Sequence, residues 1–152
     1  MTMPDLRVIE LTAEQTHPLR RRVLRDGTPS DEVRFDGDGL ATTLHLGVLA
    51  GDEVVAISTW RPKAYPDLPA TAAVQLRGMA SAPEVRGSGA ATLLLRAGIE
   101  RAVADGARVV WARARDTALG FYEANGFETV GRGYVDLTTG LPHHDIVLHL
   151  TG

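Results

Sequence analysis

The stretch of this chain best suited to chemistry is Arg86-Gly87-Ser88-Gly89-Ala90-Ala91. It follows Pro83-Glu84-Val85 and runs directly into a segment patterned as a helix. Glycines at a helix start permit tight turns and let the backbone approach a ligand closely. Free N–H groups and the positive end of the helix dipole then converge on one place, an anion site suited to a phosphate or pyrophosphate. Arg86 adds a formal charge at its rim. Taken alone, Gly-x-Gly before a helix is more often a turn than a ligand cradle. A nucleotide-triphosphate loop needs Lys and then Ser or Thr after the last glycine, where this chain has Ala90-Ala91. A dinucleotide fingerprint needs a third small residue, where Thr92 stands, and an acid after the next strand, where Arg113 and Arg115 stand. Both readings fail.

The remaining chemical groups are scattered. Tyr122 lies beside Phe121 and by itself reads as a core aromatic. His143 and His144 follow Leu141-Pro142, and His45 falls inside a strand pattern. Adjacent histidines do not readily present both rings to one ion, and no metal-ligand spacing stands out. The chain has no cysteine, which removes disulfides, thiolate metal sites and a cysteine nucleophile.

The elements that must position these residues are legible in outline. Leu6 to Leu11 reads as a strand, and Thr16 to Arg25 as a helix with Pro18 in its first turn. Asp26 to Leu40 reads as loop with a short helical piece. Thr43 to Ala50 and Val54 to Trp60 flank Gly51-Asp52 as a hairpin. Arg61 to Ala70 carries three prolines and is expected to be an exposed excursion. Ala73 to Ser81 is a strand stopped at Pro83. Gly89 to Asp105 is a helix with an apolar face of Ala91, Leu95, Ile99, Ala102 and Val103, capped by Gly106. Arg108 to Ala114 is a strand buried on both faces. Asp116 caps a short helix running to Ala124, before Asn125-Gly126. Phe127 to Val130, Tyr134 to Leu137 and Ile146 to Leu150 complete the sheet, giving a mixed α/β chain with a β-α-β-α-β core in its second half.

With 152 residues and no repeat or composition break, a single domain over residues 1–152 is expected. An apolar fraction of 44% and a charged fraction of 23% are ordinary for a globular protein. A net charge of −3 gives no reason to expect nucleic acid or an anionic membrane as partner. No apolar run is long enough to span a bilayer and the N-terminus is unlike a signal peptide, so a cytoplasmic location is expected.

The chain resembles the GNAT superfamily of acyl-CoA N-acyltransferases. Arg86, Gly89 and Ala91 match that family's cofactor signature. Gln75 to Val85 resembles the strand leading into it, and Ala118 to Phe127 resembles the family's second motif. The resemblance implies a mostly antiparallel central sheet flanked by helices, and acetyl transfer from acetyl-CoA to a primary amine by direct attack. It implies that Met79, Ala80 and Ser81 offer backbone groups to the pantetheine arm, and that Arg86, Gly87, Ser88, Gly89, Ala90 and Ala91 hold the pyrophosphate. Tyr122 would lie beside the cofactor sulfur and protonate or hydrogen-bond the departing thiolate. A non-catalytic acyl-CoA-binding module of the same fold is the alternative.

Where the family often has an asparagine seven residues before the tyrosine, this chain has Arg115, able to reach a phosphate or to remain solvated. The acceptor amine must lose a proton before attack. Glu84, Asp67, His143 and His144 are the candidate bases, histidine having a suitable pKa of about 6.5, and the sequence names none of them as the base. Glu84 also reads as a turn residue, the histidine pair as solvated loop and His45 as a packed side chain. Arg20, Arg21, Arg22 and Arg25 form a basic cluster on the first helix that reads as a solvated face, the alternative being attraction of an acidic acceptor or of the nucleotide phosphates. The acceptor, a small molecule or peptide amine, is unconstrained; such folds often pair through sheet edges or C-terminal strands, so a homodimer is expected.

Overall fold

The computed structural model describes residues 5–150. Seven strands form one sheet: β1 (Leu6–Leu11), β2 (Leu44–Ala50), β3 (Glu53–Pro62), β4 (Ala73–Ser81), β5 (Val109–Arg115), β6 (Glu128–Val135) and β7 (Pro142–His149). The helices are α1 (Ala13–Leu19), α2 (Ala90–Ala104) and α3 (Leu119–Ala124). The spatial order is β1-β2-β3-β4-β5-β7-β6. Every neighbouring pair is antiparallel except β4 with β5, so the expected mostly antiparallel sheet flanked by helices is present.

Trp60 and Leu76 turn to the side of the sheet on which α2 packs, where Leu94, Leu95 and Ala102 join them in the core. Gly98 is the close-approach point of α2, because the Trp60 indole fills the space beside it. The apolar face of α2 is therefore centred on Ala90, Leu94, Leu95, Gly98 and Ala102. Val103, assigned to that face from spacing, is 44% exposed.

Other expectations shift in instructive ways. The first helix starts at Ala13, because Thr12 and Gln15 form a reciprocal capping box. Pro18 thus lies inside α1, and Arg20–Leu24 continues as a π-helix. Asp26 to Leu40 contains turns at residues 36–39 and no helix. Its shape is set by Arg20, whose guanidinium holds Asp38 and the Val33 carbonyl. The Pro-rich excursion is pinned: Tyr65 is buried against Trp111, whose indole N–H donates to the Lys63 carbonyl.

The expected β-α-β-α-β order of the second half is present as β4-α2-β5-α3-β6. The last strand, β7, inserts between β5 and β6, so β5 pairs with β7 rather than with β6. The two short strands expected after Asn125-Gly126 are one strand, β6, with an irregularity between Val130 and Tyr134. Strand β7 begins at Pro142, which places His143 and His144 within the sheet instead of on a loop.

Candidate functional site

Strands β4 and β5 pair only through Ala73–Gln75 and Val109–Trp111. Beyond Gln75 they separate, while the other edge of β4 stays paired to β3 as far as Ser81. The edge of β4 that carries Met79, Ala80 and Ser81 therefore faces a gap with no strand paired across it. Backbone polar groups at such an edge need a partner. A cavity of about 430 Å³ opens there, lined by Leu76, Gly78, Met79, Ala114, Tyr122 and His143 among others.

Tyr122 is 7% exposed. Its ring is wedged edge-to-face between Phe121 and Phe127, with centroids 5.3 and 5.4 Å away. Its hydroxyl makes no hydrogen bond among the described residues, yet the side chain lines the cavity. Burial pushes its pKa above the ordinary phenol value, so the hydroxyl keeps its proton at neutral pH.

The loop at the start of α2 has the geometry of an anion cradle. Gly87 and Gly89 have φ of 81° and 88°, a left-handed backbone that favours glycine. A β-carbon on either would meet nothing within 4 Å, so the loop is open to solvent. Ser88 Oγ donates to the Val85 carbonyl and accepts from Ala90 N–H, which braces the turn. The N–H groups of Gly87, Gly89, Ala91 and Thr92 have no backbone acceptor among the described residues. Arg86 is exposed at the rim. Unpartnered N–H groups at a helix N-terminus beside a cation fit a pyrophosphate.

The candidate bases separate cleanly. Glu84 is a surface residue paired with Arg22 at 2.7 Å, and that bond holds its carboxyl below the usual range. Asp67 is exposed and does not line the cavity. His45 is buried, with its nitrogens bonded to Thr59 and the Asp38 carbonyl. Successive strand residues point to opposite faces. His144 accordingly turns away to Asp116, at 2.6 Å, over Gly133. Only His143 of the pair lines the cavity. Its Nδ1 is 2.9 Å from the Leu141 carbonyl, which can only accept, so Nδ1 donates and, in the neutral ring, Nε2 is the nitrogen with the lone pair.

Of the basic cluster, Arg20 is not solvated at all. It is 0% exposed, 2.6 Å from Asp38, and stacked on Phe35 at 3.7 Å. Arg115, the departure from the family pattern, is half-buried, donates to the Leu24 carbonyl and lines the cavity. Arg25, from the basic cluster read in the sequence, lines this space together with Arg61, Arg77 and Arg113, whose place here the sequence reading missed. Alternation along β4 and β5 was the available signal, since Gln75 and Arg77 share one face, as do Trp111, Arg113 and Arg115.

The model of the Acetyltransferase (GNAT) family matches residues 9–127. An uncharacterized N-acetyltransferase of Bacillus subtilis, YitI, is 28% identical over 96% of both chains. A crystal structure of a putative N-acetyltransferase from Lactobacillus plantarum shares the fold with a TM-score of 0.79 at 20% identity, covering 96% of this chain and 99% of that one. An acyl-CoA N-acyltransferase from Pseudomonas aeruginosa does so with a TM-score of 0.76 at 19% identity, covering 95% and 99%.

Proposed function

Because this chain belongs to the GNAT acetyltransferase family, with acetyl transfer as its reaction, we propose that it moves the acetyl group of acetyl-CoA to a primary amine by direct attack. The observation that carries the reading is Tyr122, its hydroxyl unbonded among the described residues, lining the cavity beside β4, with an open N–H cradle following the same strand.

When bound, acetyl-CoA supplies a thioester carbonyl open to attack. The N–H groups of Gly87, Gly89, Ala91 and Thr92, with Arg86 beside them, hold the pyrophosphate. Ser88 and Ala90 shape that turn. The free edge of β4 at Met79, Ala80 and Ser81 pairs with the amide groups of the pantetheine arm as an added strand would.

His143 Nε2 takes a proton from the acceptor ammonium, directly or through one water. The freed nitrogen forms the C–N bond as the C–S bond breaks. Tyr122 gives its hydrogen to the sulfur and regains one from the newly acylated nitrogen. The products are an N-acetyl amide, free CoA thiol and one proton, which leaves by way of His143.

Thiol release from acetyl-CoA across a panel of primary amines tests this reading. Turnover with at least one amine, reduced in Tyr122→Phe while acetyl-CoA affinity is kept, supports it. Binding of acetyl-CoA with no thiol release from any amine sinks it in favour of a binding module.

A further inference from the structure

The cavity beside β4 holds cationic side chains that the protein leaves without ion-pair partners. Arg25, Arg61, Arg77, Arg113 and Arg115 line it. Among the described residues none of the five has a carboxylate oxygen within 4 Å. Their partners are neutral. Arg61 and Arg77 both donate to the Asp36 carbonyl, at 3.4 and 2.7 Å, and Arg61 also to Gln75 at 2.9 Å. Arg25 donates to the Glu32 carbonyl at 2.6 Å, and Arg115 to that of Leu24. Arg113 pairs in register with Asp145, yet both Asp145 oxygens are taken, by Tyr65 at 3.0 Å and Tyr134 at 2.6 Å.

Like charges are thus held side by side in a half-buried space, which is costly unless something anionic enters. Burial, and then the charge of Arg61, lower the pKa of Arg77; burial, and then Arg25, lower that of Arg115. The cluster does not follow from general basicity, because the chain is acidic overall at −3. Glu32, Asp36 and Asp136 line the same space, and Asp36 and Asp136 offset part of the charge on Arg77 and Arg115, but none of the three acids forms an ion pair with the five arginines. Glu32 lies beside Arg34 at 3.6 Å, and Asp136 accepts from Thr139.

We propose that the acceptor is an amine that also carries a carboxylate, an amino acid or acidic peptide, whose carboxylate is held by Arg77 together with Arg61 or Arg115. A guanidinium uses few of its five donors here, and its planar fork matches a carboxylate in two parallel bonds. Arg77 precedes Met79 by two residues on β4, across a break in the β3–β4 register at Gly78, whose φ is 57°. Arg77 and Met79 line one cavity, so an amine held beside the β4 edge and a carboxylate at Arg77 can belong to one small molecule. The proposal deepens the acetyl-transfer reading and rests on it for the position of the amine.

The test is a pair of calorimetric titrations into CoA-saturated protein. The probes are N-acetylated amino acids and dipeptides with a free carboxylate, against the same compounds as carboxamides. The carboxylates are expected to bind about tenfold or more tightly, the usual reach of a hydrogen-bonded charge. Arg77→Gln, and Arg61→Gln combined with Arg115→Gln, are expected to abolish that preference and leave CoA affinity within about twofold. Equal binding of acids and amides overturns the proposal, as does a carboxylate preference that survives in both variants. A drop in CoA affinity in the same variants also overturns it, assigning the arginines to the cofactor phosphates. Binding is read without turnover, so a failure of acetyl transfer, seen as absent thiol release, is a separate result.

Discussion

The Trp60 indole occupies the space that a side chain on Gly98 would need: a β-carbon there would lie 1.8 Å from Trp60 Cζ2. The contact locks α2 against β3, and α2 carries the cradle at its N-terminus. Two effects compete in Gly98→Ala. Helix propensity favours alanine by about 1 kcal/mol, while overpacking a filled core costs about 1–3 kcal/mol, occasionally more. Both partners sit in a packed core and the overlap is deep, so the steric cost wins. Urea denaturation is expected to show a net loss of about 1–2 kcal/mol; an unchanged midpoint would mean that Trp60 has room to move.

Arg20 and Asp38 form the ion pair that fixes the loop between α1 and β2. With side chains 0% and 11% exposed, Arg20→Leu leaves the Asp38 carboxylate without its partner in a poorly solvated place. The expected cost is about 3–5 kcal/mol, read from the same denaturation curves.

Acid stability follows from the same pair. Burial alone would raise the Asp38 pKa, but hydrogen bonds from Arg20 and the Phe35 N–H, with the Arg20 charge, outweigh it and hold the carboxyl below its usual value. A depressed carboxyl pKa contributes stability above the unfolded value of about 3.9 and loses it as pH falls through the folded one. Wild-type stability is expected to drop below about pH 4, and that part of the slope is expected to vanish in Asp38→Asn.

What could be read from sequence here was local. The Gly51-Asp52 hairpin, the strand–loop–helix from Ala73 to Ala104 and the short helix bearing Tyr122 depend on residues close in the chain, and their types announced them. Pairing of β7 between β5 and β6 depends on residues some 30 apart, and no local signal carries it. His143 and His144 looked like a loop because Pro142 precedes them, yet a proline is tolerated at the first residue of a strand. Arg20 looked like one arginine among four; its burial is set by Asp38, eighteen residues on. The Thr12–Gln15 capping box was written in the sequence and marks the true start of α1.

His143→Gln tests the base. Glutamine keeps a polar side chain but cannot take a proton at neutral pH. Turnover is expected to fall by about 10²-fold or more, with acetyl-CoA affinity unchanged in a titration. A loss of binding instead would show that the ring is structural, through its stack on Tyr134.

Tyr122→Phe removes one oxygen and keeps the edge-to-face packing with Phe121 and Phe127. A fall in kcat of about 10²–10⁴ is expected for loss of a general acid, read by thiol release under saturating acetyl-CoA. Burial raises the phenol pKa, so the alkaline limb of the rate profile is expected at the same pH in wild type and variant. A shift of that limb would mean that the tyrosine titrates in the working range.

The cofactor cradle is the center of this account, and titration of acetyl-CoA into wild type and Gly89→Val by calorimetry tests it most directly. Gly89 has a φ of 88°, which a β-branched residue rarely adopts, and its N–H has no backbone acceptor among the described residues. Saturable one-to-one binding of acetyl-CoA but not ATP to wild type is predicted, weakened about tenfold or more in the variant by loss of a charge-assisted hydrogen bond and its geometry. No binding to folded wild type at millimolar acetyl-CoA, or equal binding by the variant, would contradict it.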